Sequence, residues 1–117
     1  MSERVSIELI AEAVADVWGV SVPHLRGQRR YRSVVVPRQV AFALARKHTD
    51  HSLPVIGRWF GDRDHTTVLY GLDRFDRELS DLHRDLIAQV ERLIEQRRRA
   101  VFVRSPALTF RTVRRAT

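Results

Sequence analysis

Apolar residues recur at helical spacing along most of the chain. Ile7, Ile10, Ala11, Val14, Val17 and Trp18 fall on one stripe, with Glu8, Glu12 and Asp16 between them. That spacing predicts a helix over about 6–18, with Ser6 as its N-cap, Glu8 in its first turn and Gly19 closing it. Ser21 is placed to cap a short second helix reaching about Arg26, with Pro23 tolerated in the first turn. Gly27-Gln28-Arg29-Arg30-Tyr31-Arg32 has no apolar period and reads as an exposed loop. A third helix is predicted to start near Val34–Pro37 and to run to about His48. Val40, Leu44 and either Ala41 or Lys47 define its faces, and Phe42, Ala43 and Ala45 widen its apolar arc. A helix so broadly apolar belongs at the centre of a small bundle.

Ser52 is expected to cap a fourth helix, Leu-Pro-Val-Ile-Gly-Arg-Trp-Phe, and Gly61-Asp62-Arg63 to make a turn. Asp64 then caps a fifth helix that opens His65-Thr66-Thr67 and continues into a Val68-Leu69 pair expected to be buried. Two helices joined by a tight glycine-containing turn make a helix-turn-helix. Ser80 with Asp81 is expected to break the chain and cap a last helix ending near Arg99. That helix carries two stripes, one of Leu82, Leu86 and Leu93 and one of Ile87, Val90 and Ile94. Residues 1–99 are thus expected to form one all-α domain, and residues 100–117 a basic, flexible tail.

Composition narrows the chemistry. The chain has 117 residues, 21 Lys+Arg against 14 Asp+Glu and no cysteine. Thiolate metal sites, disulfides and thiol nucleophiles are therefore excluded. No apolar run approaches the ~20 residues that span a bilayer, so a cytoplasmic protein with no membrane partner is expected. His48 and His51 lack a third ligand, no serine sits in a nucleophile elbow, and there is no Gly-x-x-x-x-Gly-Lys-Ser/Thr run. No enzyme activity, metal or cofactor is expected. The positive excess is local: residues 24–72 carry +6 and residues 96–117 carry +7, while residues 1–23 and 73–95 carry −3 each. Clustered arginine of this kind marks a polyanion binder.

The stretch Gly61-Asp62-Arg63-Asp64-His65-Thr66-Thr67-Val68 narrows the polyanion to DNA. With Arg29-Arg30-Tyr31-Arg32, Pro37-Arg38-Gln39-Val40-Ala41 and His51-Ser52-Leu53-Pro54-Val55-Ile56-Gly57 upstream, it closely resembles the C-terminal DNA-binding domain of the bacterial replication initiator DnaA. The resemblance runs from about Ile7 to about Leu93 with its landmarks in order. It implies a bundle of about six helices containing a Trp-repressor-like helix-turn-helix, and binding to a short duplex site, the DnaA box. By matching position, Arg30 would enter the minor groove from a basic loop that also holds Arg29 and Arg32. Asp64, His65 and Thr66 would face bases in the major groove. Leu53, Pro54, Arg38, Arg63 and Thr67 would hold phosphates or pack close to the backbone, with Gln39 beside them.

General chemistry agrees with those roles. A narrow A·T minor groove attracts an inserted arginine, aspartate accepts from cytosine N4, and threonine contacts a thymine methyl. Each residue also has a plainer use: Asp64 as an N-cap, Leu53 and Pro54 as helix-start residues, Trp18 and Trp59 as core. The chain departs from the family pattern at Asp62, which replaces the second glycine of the turn and requires φ > 0 at a non-glycine residue, and at Gln28, which stands where a lysine is common. The expectation is a short, free-standing binder of double-stranded DNA on the nucleoid that competes with the full initiator. The alternatives are a helix-turn-helix transcription regulator with a diverged site, and an interaction module that pairs through residues 79–94, including as a homodimer.

Overall fold

The computed structural model describes residues 5–28 and 31–103. Their helices are α1 (Ile7–Trp18), α2 (Val22–Arg26), α3 (Arg32–His48), α4 (Leu53–Trp59), α5 (His65–Arg74), α6 (Ser80–Leu82) and α7 (Arg84–Val103). A π-helical turn, Phe75–Leu79, joins α5 to α6 without a break, so residues 65–82 form one rod. The result is an all-α bundle of six rods, with no strand among the described residues.

Side-chain caps set four helix starts where the sequence places them. The Ser6 hydroxyl accepts from the Leu9 amide (3.0 Å), Ser21 from His24 (3.1 Å), Ser52 from Val55 (3.4 Å) and the Asp64 carboxylate from Thr66 (2.9 Å). Each cap satisfies an amide that the helix leaves orphaned and contributes about 1 kcal/mol. At the other end of α1, Gly19 adopts φ 73 and terminates the helix.

Three boundaries differ from the sequence reading. First, α3 begins at Arg32, not Val34–Pro37. The extended Tyr31 offers its carbonyl to both Val34 and Val35 amides (2.8 Å each), which starts the helix earlier and leaves Pro37 buried inside it. Second, Ser80 does not cap. It is αR, its amide bonds back to Phe75 across the π turn, and the break falls three residues later at His83 (φ −116, ψ 34). Third, the last helix continues through Val103, so residues 100–103 belong to it; residues 104–117 of the expected tail lie outside the described residues.

α3 is central, as its apolar breadth predicts, and packs on α1, α2, α4 and α5. Val40, Ala41, Phe42, Leu44 and Ala45 are all buried, while Lys47 reaches out to Glu91 of α7 (2.8 Å). Trp18 and Trp59 are half-buried and pack against this core. The 79–94 face is used within the fold: Leu79, Val90 and Ile94 are buried, and Ile87 and Leu93 pack on the same core. Leu82 lies outside that face, exposed just before the break. No helix among the described residues is long and apolar enough to cross a membrane.

Candidate nucleic-acid interface

α4 and α5 meet through a turn that only small or unusual backbone permits. The Arg63 amide donates to the Gly57 carbonyl (2.8 Å), and a Cβ on Gly57 would fall 2.2 Å from the Arg63 carbonyl oxygen. Gly61 (φ 88) and Asp62 (φ 58) follow each other in left-handed backbone, the conformation foreseen for Asp62. Phe60 closes the turn from below, buried edge-on against Phe42 (5.3 Å) and Trp59 (4.9 Å). The turn therefore rests on the core, and what it presents outward is fixed by that packing.

Its outer surface is a notch of about 260 Å³ between α4, the turn and the start of α5, lined by Pro54, Arg58, Asp62, Arg63, Asp64 and His65. Four of the sequence-selected residues, Pro54, Arg63, Asp64 and His65, thus converge on one opening. Thr66 and Thr67 continue the exposed surface along the first turn of α5, and Leu53 lies half-buried against the core beneath. One Asp64 oxygen accepts both the Thr66 hydroxyl (2.6 Å) and the Thr66 amide (2.9 Å). Those bonds hold the Asp64 carboxyl below its ordinary range, so it is an ionised, acceptor-only group at neutral pH. Asp64 thus serves as the N-cap weighed for it, with its carboxylate still on the exposed surface.

Arg38 and Gln39 lie elsewhere. Both are buried on α3. The Arg38 guanidinium donates to the carbonyls of Leu25 (2.8 Å), His24 (3.1 Å) and Gly27 (3.3 Å). Burial, and then the nearby Arg63 charge, lower its pKa to about 10. Gln39 accepts from Arg74 (3.0 Å). Arg63 turns part of its fork inward as well, donating to Gly27 (2.6 Å) and to Phe60. Arg32 is the first residue of α3, outside the expected loop; Arg29 and Arg30 lie outside the described residues.

Two exposed residues escaped the sequence reading. Val68 is buried as expected, but Leu69 is 51% exposed and Tyr70 60% exposed. The buried face of this rod runs through Val68, Gly71 and Leu79, and position 69 lies about 100° around from 68. Leu69, Tyr70 and Thr66 line a groove against Arg46 and Lys47 of α3. The signal for it was Tyr70, an amphipathic side chain next to a glycine that α5 packs tightly on Phe42. His48 pairs with Glu91 (2.6 Å), and no group of three His, Asp or Glu among the described residues could hold a metal.

The bacterial DnaA helix-turn-helix family matches residues 7–74. The chromosomal replication initiator protein DnaA of Lactobacillus delbrueckii subsp. bulgaricus is 46% identical over 78 residues, 67% of this chain and 17% of that protein. The DnaA of Chloroflexus aggregans is 44% identical over 93 residues, 77% of this chain and 20% of that protein. The chain thus spans about a fifth of the relatives it matches. With an all-α bundle, a capped helix-turn-helix and these matches, the chain belongs to the bacterial DnaA helix-turn-helix family, the DNA-binding domain of the chromosomal replication initiators.

Proposed function

We propose that this chain binds double-stranded DNA sequence-specifically at DnaA-box-like sites, on the nucleoid, without hydrolysing ATP. The observation that carries the reading is the convergence of Pro54, Arg63, Asp64 and His65 on one exposed notch, with Thr66 and Thr67 beside it. A recognition helix meets base edges with its N-terminal residues, and α5 presents an ionised carboxylate, an imidazole and two hydroxyls there. Asp64 would accept from a base amine, His65 and Thr66 would face neighbouring bases, and Pro54 and Thr67 would lie against the backbone. In this reading Arg30 enters the minor groove beside Arg29 and Arg32. Arg38 and Gln39 act from within, as supports of the elements that touch DNA, because their polar atoms are engaged inside the fold.

On a box these residues would act as a reader of the duplex, and they would compete with a full initiator for shared sites. Footprinting on a duplex carrying a DnaA box tests this: protection of the box at moderate salt is expected, and protection of none sinks the assignment. Asp62 supports a second reading. It adds an acid to the notch where the family pattern has glycine, which favours a regulator whose site has diverged from the DnaA box.

A further inference from the structure

α2 buries Leu25 and packs Val22 against the core, but residues 26–28 carry no apolar side chain, so apolar packing does little to hold them. Polar contacts with the helix-turn-helix turn do so instead. Arg26 Nε donates to the Trp59 carbonyl (2.7 Å), and its guanidinium lies 4.2 Å over the Trp59 ring. Gln28 Nε2 donates to the Gly61 carbonyl (3.4 Å). Gly61 lets the two segments touch: a Cβ there would fall 2.2 Å from the Arg26 carbonyl oxygen. At the centre of the contact, the Gly27 carbonyl accepts from two guanidiniums on different elements, Arg63 at 2.6 Å and Arg38 at 3.3 Å. The Arg63 fork also reaches Phe60 of its own turn, so it spans both segments.

We infer that Arg63, with Arg38 behind it, is a positioning residue that locks the end of α2 and Gln28 to the helix-turn-helix turn, so that the chain leading into the basic loop and the recognition helix are held in one register toward the duplex. Two like charges at one carbonyl are a poor way to gain stability, and a well-packed apolar pair often does better. What the pair gains is direction, because a planar fork fixes geometry as a lysine cannot. Arg38 also takes the last carbonyls of α2, that of Leu25 and, beside the Gly27 amide, that of His24, and complements the negative end of that helix.

The inference rests on the DNA-binding reading, and its test separates the two. Arg63→Lys keeps the charge and removes the fork. In the free protein, amide exchange at Gly27, whose N–H is held by the His24 carbonyl, should speed up at least tenfold in this variant while α1 and α7 keep their protection; unchanged exchange overturns the lock whatever DNA does. On a DnaA-box duplex and its single base-pair variants, Arg63→Lys should weaken binding about tenfold, the size of one lost base contact. The penalty for changing the A·T pairs read through the minor groove should shrink, while penalties at the major-groove positions persist and the salt slope holds. A uniform loss at every position would make Arg63 a phosphate contact and overturn the inference, the more so if Arg63→Ala lowers the salt slope by about one. Gln28→Ala removes only the exposed bond to Gly61, leaves the fold intact, and should move the same profile in the same direction by less. Failure of the unmutated chain to prefer any box would strike the DNA reading and leave the exchange result standing.

Discussion

Asp62 shows how much one residue of the turn decides. It follows Gly61 into left-handed backbone at φ 58, a conformation that costs an ordinary residue about 1–2 kcal/mol and an aspartate less. Its carboxylate also lies in the notch with Asp64, facing the side where phosphates would come. Asp62→Gly should therefore raise stability by about 0.5–1 kcal/mol in urea unfolding. It should also tighten DNA binding severalfold, more at low salt than at high. Asp62→Ala should tighten binding too but lose stability, because it keeps the left-handed backbone without the polar group that tolerates it. Equal stability changes in the two variants would remove the strain argument. The φ of Asp62 was legible from the family pattern, where glycine marks the position. The exposure of Leu69 was not, because an apolar residue beside a buried valine carries no sign of which way the helix is turned.

At the scale of elements, one carboxylate ties α3 to α7. Glu91 receives His48 at 2.6 Å and Lys47 at 2.8 Å, and the His48 bond is the larger cause of a pKa lowered from 4.5 to about 2. A carboxyl with a depressed folded pKa adds stability that is complete above about 4.5 and is lost as pH falls toward about 2. Glu91→Gln should cost about 1–2 kcal/mol at pH 7, between an exposed pair and a charge-assisted bond. Wild type and variant should converge between pH 4.5 and 2 in denaturant melts. A difference that persists at pH 2 would contradict the assignment. Elements capped by a side chain, such as α1 and α5, were legible to within a residue. α3 was not, because Tyr31 starts it with a backbone carbonyl and no side-chain signal. The break at His83 was hidden because Ser80, a residue type that favours caps, is carried through by the π turn.

Across the whole molecule, the charge map and the structure divide the arginines into two kinds. The +6 block of residues 24–72 includes Arg38, whose charge is buried, and Arg63, whose fork is partly turned inward. Counting charges along the sequence therefore overstates what this block presents to a polyanion. The acidic block of residues 73–95 is in turn offset locally, with Asp73 on Arg77 (2.7 Å), Glu78 on Arg74 (3.3 Å) and Glu95 on Arg98 (2.6 Å). In the proposed reading, specificity depends less on net charge than on the notch at the start of α5 and on the loop root bound to it. The fold class and the helix-turn-helix were legible because periodicity, caps and a family motif agree. The internal work of Arg38 and Gln39 was not, because a polar residue on a helix looks the same in sequence whether it faces solvent or a neighbouring carbonyl. Selection of bound sites from a random duplex library measures duplex recognition itself. A recovered consensus matching the DnaA box, with one A·T-rich flank, is expected; an unrelated consensus, or none, would overturn recognition of that site.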